Sequence, residues 1–164
     1  MSEQKNIPKL RFPDFKSDWD AMKLNNILIT DIEKNKNRQY SEIDMLSVSS
    51  SAGVVNQIEY HGRSYAGESV LPYNILKINQ IVYTKSPLKE YPYGIIKYNN
   101  YRTGIVSTLY AVYSIRTGFL GLFIDYYFQL PYRINKYLKP LVNIGAKNDM
   151  KVNNDKVLID NVTI

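Results

Sequence analysis

The 164-residue sequence contains no cysteine and a single histidine, His61. Without cysteine the chain can form neither disulfide bonds nor thiolate metal sites, and one histidine cannot provide the imidazole cluster of a zinc site. We therefore expect a protein that needs no metal or other cofactor. A cysteine-free chain also fits a reducing compartment, so the predicted location is cytoplasmic.

Long hydrophobic segments are missing as well. The most apolar run, residues 118–124, ends at Asp125 and is far shorter than the roughly 20 residues that a membrane-spanning helix requires. Residues 1–9 are too polar for a signal peptide. The sequence therefore predicts no membrane partner.

Motifs for nucleotide or methyl-donor chemistry are also missing. The eight glycines form neither G-x-G-x-x-G nor G-x-x-x-x-G-K-S/T, and no two prolines adjoin as an amino-methyltransferase motif requires. His61 lies in the polar stretch YHGRSY, which we interpret as a loop with a solvated or hydrogen-bonded histidine. The sequence thus predicts that the protein is not an enzyme.

The spacing of apolar residues predicts β-strands over much of the chain. The stretch YNILKINQIVYTKS, residues 73–86, is hairpin-like, and an Asn-Asn pair at residues 99 and 100 marks a turn. Gly53 marks another turn or bulge. The predicted strands are residues 45–48, 75–76, 81–83, 95–98 and 104–115.

After Gly118 the apolar spacing becomes helical, and Pro131 divides the region into two short helices because proline interrupts a helix. The expected apolar faces are Leu120, Phe123, Tyr127 and Leu130 on the first helix, and Ile134, Tyr137, Leu138 and Leu141 on the second. A short element at residues 156–164 follows. Strands followed by helices predict a single α+β domain with mostly antiparallel strands.

Basic residues and tyrosines stand out in the composition. The net charge is +6, and several of the 15 tyrosines lie beside a lysine or arginine. Cations neutralise phosphates and tyrosine hydroxyls donate to phosphates or base edges, so this pattern suits DNA. The alternative is that the tyrosines are half-buried packing residues of the strands, with only their hydroxyls in water.

Positive charge is concentrated late in the chain, where residues 131–151 contain five cations and one acid. Lysine and asparagine around Gly145 can make directional contacts to base edges, although the same loop could simply cap a following helix. Two further cations lie near predicted strand ends. The candidate DNA-binding residues are Lys85, Arg102, Arg133, Lys136, Lys147, Asn148 and Lys151.

The segment IPKLRFPDFKSDWDAMKL, residues 7–24, resembles the N-terminal entry of specificity subunits of type I restriction–modification systems. In that family a P-x-L-R-F-P-x-F leader runs into W-x-x-x-x-L at the start of a target recognition domain. Further likenesses lie in YNILKINQIVYTKS, where the family often has Gly-Asp at Asn79 and Gln80, and in GIVSTLYAVY, where Thr108 replaces a frequent proline. LSVSSSAGVV and GAKNDMKVNNDKVLIDNVTI extend the resemblance along the chain.

The resemblance implies a target recognition domain that reads one half of a split double-stranded DNA target through the major groove. It implies an extended strap at residues 1–20 packed on a domain at residues 21–164, without the long spacer helices of the family. The implied partners are DNA, the modification (methyltransferase) subunits and the restriction (translocase and nuclease) subunits. If the candidate cations read a duplex together, they should share one concave surface.

A second interpretation is a non-catalytic protein-interaction module with a tyrosine-rich binding surface. The salt dependence of duplex binding distinguishes the DNA-binding and protein-interaction interpretations, because affinity that depends on phosphate contacts falls steeply as salt is added. Within the DNA hypothesis, alanine at Lys147 or Asn148 should relax base preference. Alanine at Arg133 or Lys136 should instead weaken binding to all sequences alike.

Overall fold

The computed structural model describes residues 19–144 and 150–163 of the chain. Within these residues the fold is α+β, as the sequence predicts, with twelve short strands and three short helices. The strands are β1 (Ala21–Lys23), β2 (Leu28–Asp31), β3 (Leu46–Ser49), β4 (Gly53–Asn56), β5 (Asn74–Leu76), β6 (Ile81–Thr84), β7 (Ile96–Tyr98), β8 (Gly104–Val106), β9 (Tyr110–Ile115), β10 (Asn143–Ile144), β11 (Met150–Lys151) and β12 (Asn161–Thr163). The helices are α1 (Gln57–His61), α2 (Gly121–Phe128) and α3 (Pro131–Leu138).

A four-stranded antiparallel sheet in the order β2-β9-β6-β7 forms the centre of the molecule. All four residues of β6 are buried, which matches its β-branched and aromatic sequence IVYT. Four two-stranded ribbons accompany the sheet: β1-β12, β3-β4, β5-β8 and β10-β11. All of these strand pairs are antiparallel.

The two faces of the central sheet are covered by different layers. Tyr83 and Tyr113 belong to a large apolar cluster with the buried sides of α2 and α3. Val82 and Val112, which alternate with them along β6 and β9, pack against residues of β3, β4, β5 and β8. This alternation is the two-residue period of a strand that is buried on both faces.

The two helices predicted on either side of Pro131 are confirmed. Pro131 is the first residue of α3, where its missing N–H is not needed, and Ile134, Tyr137 and Leu138 are buried as expected. The expected apolar face of the first helix is wrong in part, because Leu120 and Leu130 are exposed. The fully buried positions of α2 are Gly121, Ile124 and Phe128.

Gly121 explains why the buried face of α2 differs from the face that the apolar spacing predicts. A Cβ atom at this position would lie 2.5 Å from the ring of Tyr98 and would also strike Ile115. The glycine therefore lets the first turn of α2 approach the strands closely, which the apolar spacing alone does not reveal.

Three further sequence expectations are corrected. β5 and β6 do not form a hairpin with each other, since β5 pairs with β8 while β6 pairs with β7 and β9. The single strand expected at residues 104–115 is two strands, divided by a turn in which Tyr110 N donates to Ser107 O at 2.9 Å. His61 lies at the end of α1 and not in a loop, because the Asn56 side chain caps the helix start and Gly62, with a φ of 76°, ends it.

The predicted strap at residues 1–20 lies outside the described residues except for Trp19 and Asp20. The Trp19 ring packs beside that of Phe123 on α2, with centroids 5.9 Å apart. Within residues 19–144 and 150–163, no helix is long and apolar enough to cross a bilayer.

Candidate nucleic-acid interface

Lys85 lies at one end of the central sheet, directly after β6. Its Nζ donates to Asn154 Oδ1 at 2.9 Å, and Lys34 Nζ donates to Asn74 Oδ1 at 2.5 Å. The Asn74 amide in turn donates to Tyr110 O at 2.8 Å. Two ammonium groups and two side-chain amides are therefore held together here. We call this surface, formed by Lys34, Asn74, Lys85 and Asn154, the lysine edge.

The position of Lys34 is fixed by its buried neighbour Asn35. The Asn35 amide donates to Tyr40 O at 2.8 Å and to Val70 O at 3.3 Å, and Asn35 N donates to Tyr73 O at 3.0 Å. These bonds connect the backbone next to Lys34 to residues 40, 70 and 73.

The lysine edge is electropositive and partly desolvated. Partial burial, followed by repulsion from Lys34, lowers the pKa of Lys85 below its ordinary value. Within the described residues neither lysine makes a salt bridge to an acid. An anion bound between them would relieve the repulsion, and a phosphate group has the required charge and acceptor oxygens.

Lys151 is the last residue of β11, three residues before Asn154 in the sequence. Lys147 and Asn148 lie outside the described residues, and their predicted role stays a prediction.

Arg133 and Lys136 lie on α3 and line a groove of about 700 Å³. The Arg133 guanidinium stacks over the Tyr127 ring, 4.8 Å from its centroid. We call this feature the aromatic groove. It is lined by Trp19, Phe123, Tyr126, Tyr127, Tyr132, Arg133, Lys136, Tyr137, Asp160, Asn161 and Thr163.

A turn of 3-10 helix, Asp155–Leu158, connects the two surfaces. It follows Asn154 of the lysine edge and precedes Asp160 of the aromatic groove. The lysine edge and the aromatic groove are therefore adjacent along the chain.

Arg102 is not part of this region. It follows β7, whereas Lys85 follows β6, and because these strands are antiparallel the two residues lie at opposite ends of the sheet. Arg102 Nη1 lies 3.4 Å from Glu59 Oε1 of α1, and Tyr101 Oη donates to Glu59 Oε2 at 2.7 Å. Arg102 thus lies away from Lys85, and the two do not share one surface as expected.

Three members of the lysine edge were not among the residues that the sequence singles out. Lys34 lies in the polar, basic stretch TDIEKNKNRQYSE, so its charge is visible in the sequence, but nothing there connects it with Lys85. Asn74 and Asn154 carry no local signal, because each acts through a partner at least 36 residues away.

In the part of the chain that the structure describes, no three His, Cys, Asp or Glu side chains are grouped so that they could hold a metal ion. Comparisons with protein-family models, with curated proteins and with solved structures found no match to this chain.

Proposed function

We propose that the chain binds double-stranded DNA and reads one half of a split target, as the recognition domain of a type I restriction–modification specificity subunit. The domain would position the modification and restriction subunits on DNA without catalysing a reaction itself. The proposal is carried by the lysine edge, where Lys34 and Lys85 each donate to a side-chain amide, repel each other and lack an acidic partner among the described residues. Paired cations of this kind suit phosphates, and neighbouring amides suit base edges.

Two backbone positions add support for the family resemblance. Asn79 has a φ of 67°, a left-handed conformation that glycine adopts most readily, and the family often has glycine there. Thr108 follows Ser107 in the turn closed by Tyr110, at the second position, which favours proline. At both places the residue typical of the family fits the backbone of this chain.

The second candidate function is a protein-interaction module, and the aromatic groove favours it. Tyr126 and Tyr132 are exposed beside Trp19, and such side chains are enriched in protein interfaces. The groove also contains Arg133 and Lys136, which fit DNA phosphates equally well. Because the lysine edge lacks aromatic side chains, it points to DNA more directly.

A salt titration of duplex binding tests the proposal. We expect the chain to bind a short duplex of arbitrary sequence at low salt, with affinity that falls linearly on a logarithmic scale as salt rises. Replacing Lys34 and Lys85 together by alanine should reduce the salt slope by about 2, because each phosphate contact contributes about 1. Fluorescence anisotropy of a labelled duplex measures both quantities.

Arg102 and Arg116 provide the matched control. Both follow strands at the opposite end of the sheet from Lys85, and their replacement by alanine also removes two positive charges. The slope of this double variant should stay within about 0.5 of the wild type if the lysine edge contacts the duplex. Equal losses in the two double variants would show that net charge alone governs binding. Absence of duplex binding at low salt would contradict the proposal itself.

A further inference from the structure

The aromatic groove presents more exposed aromatic surface than packing of the core requires. Tyr126 of α2 is 61% exposed and Tyr132 of α3 is 65% exposed, and Trp19 in the same groove is also exposed. Exposed aromatic rings that are grouped in one cleft are typical of a binding site. At about 700 Å³, the groove has room for a ligand of nucleotide size.

The buried sides of the two helices fix this exposure. Ile124 and Phe128 of α2 lie in the core, as does Ile134 of α3. A rotation that buried Tyr126 or Tyr132 would expose these apolar side chains instead. The two tyrosines therefore stay at the groove in the folded chain.

Planar groups follow one another along the groove. The rings of Trp19 and Phe123 have centroids 5.9 Å apart, and those of Phe123 and Tyr127 have centroids 6.3 Å apart. The Arg133 guanidinium lies over the Tyr127 ring, 4.8 Å from its centroid. Unpaired nucleobases stack on aromatic rings and on guanidinium planes, whereas the bases of a duplex are stacked on one another.

Two cations of α3 make the groove electropositive. Arg133 and Lys136 are three residues apart and so lie on the same side of the helix, and α3 contains no acid. Asp160 also lines the groove, but among the described residues it makes a salt bridge with neither cation. The two positive charges are therefore available to an anionic ligand.

This combination of side chains favours a nucleic-acid strand over a protein partner. Each nucleotide of a single strand brings a flat base and a phosphate, which match the tyrosines and the cations of the groove. A protein would have to supply acidic side chains next to its apolar contacts. Asn161 and Thr163 of β12 add polar groups that suit the edges of unpaired bases.

We propose that the aromatic groove binds single-stranded DNA, whose unpaired bases stack on Tyr126 and Tyr132 while Arg133 and Lys136 contact its phosphates. The inference goes beyond the reading of a duplex half-target, and it rests on the proposed function only in naming DNA as the source of the strand. No residue of the groove belongs to the lysine edge, so variants at the two places test the two proposals separately.

Fluorescence anisotropy of a labelled oligo(dT) of about 15 nucleotides tests the inference. The whole chain should bind this single strand at low salt. Replacing Tyr126 and Tyr132 together by alanine should weaken binding by at least about 5-fold with an unchanged salt slope, because stacking is lost while the phosphate contacts remain. Replacing Arg133 and Lys136 together by alanine should instead reduce the salt slope by about 1.4, since each phosphate contact to a single strand contributes about 0.7.

The matched control replaces Tyr60 and Tyr65 together by alanine. These tyrosines are also exposed but do not line the groove, so this variant should bind oligo(dT) like the wild type. Unchanged circular dichroism should show that all variants are folded.

Absence of oligo(dT) binding at low salt would overturn the inference, and it is the result expected if the groove docks a protein instead. Equal losses in the two tyrosine double variants would also overturn it, as would tighter binding of oligo(rU) than of oligo(dT). Duplex binding is measured in parallel. A wild type that binds the duplex but not oligo(dT) overturns this inference alone, and one that binds oligo(dT) but not the duplex contradicts the proposed function alone.

Discussion

Replacing Gly94 by alanine is expected to lower the free energy of unfolding by about 3–5 kcal/mol. Gly94 has a φ of 90°, which an alanine adopts only with strain, and a Cβ atom there would overlap the backbone carbonyl of Thr84. A backbone oxygen within the sheet cannot turn aside as the end of a side chain can. Such a loss is a large part of the roughly 5–15 kcal/mol that stabilises an ordinary domain.

Gly118 is the matched control for this prediction. Its φ of 94° is nearly the same, but no atom lies within 4 Å of the position of an added Cβ. Gly118→Ala should therefore lose only the conformational part, about 1–2 kcal/mol. Urea denaturation of the two variants separates strain from overlap. Equal losses would show that the approach of Gly94 to Thr84 contributes nothing.

The second large effect is expected from the buried ion pair that joins α2 to β7. Lys97 Nζ lies 3.4 Å from Asp125 Oδ1, and the two side chains are mostly buried. Burial raises the pKa of Asp125 above its ordinary value, although Lys97 lies close to it. Lys97→Met should lower the free energy of unfolding at pH 7 by about 3–5 kcal/mol, because a buried carboxylate loses the counter-charge of Lys97.

The pH dependence of this loss follows from the direction of the Asp125 shift. A carboxyl group whose pKa is raised by folding stabilises the fold most below its unfolded pKa, and that contribution disappears as pH rises through the folded pKa. Removal of Lys97 raises the folded pKa further. The loss in Lys97→Met should therefore be largest near neutral pH and should shrink as pH falls towards 4.

Two further variants control the ion-pair prediction. In Lys97→Met with Asp125→Leu, apolar side chains replace both charges, and much of the lost stability should return. Lys77→Met breaks an exposed pair with Glu33 and should change stability by less than about 1 kcal/mol. A loss in Lys97→Met as small as that in Lys77→Met would contradict the assigned role of the buried pair.

The features of the fold that could be predicted from the sequence are those with a local cause. Pro131 both interrupts and begins a helix, and the apolar spacing of α3 identifies its buried side correctly. The turn that divides β8 from β9 contains neither glycine, proline nor asparagine, so the sequence does not indicate that the predicted strand is interrupted there. There the Ser107 hydroxyl accepts a hydrogen bond from Leu109 N, an interaction that many sequences could make.

The candidate site depends on contacts between distant parts of the chain. The hydrogen bond from Lys34 to Asn74 joins residues that are 40 positions apart in the sequence, and the bond from Lys85 to Asn154 joins residues 69 positions apart. The basic character of each lysine can be read from the sequence, whereas their proximity results from the paths of the strands. For Arg102, the sequence suggests a positive charge that is available for DNA. In the fold, Glu59, 43 positions earlier in the chain, pairs with this charge.

Selection from a pool of randomised duplexes tests the central claim most directly. The chain is incubated with the pool at low salt, and the bound duplexes are separated, sequenced and compared with the starting pool. Sequence-specific reading of a half-target predicts one short motif that is strongly enriched in the bound fraction. A bound fraction with the same base composition as the starting pool, or no bound duplex at all, would contradict the claim.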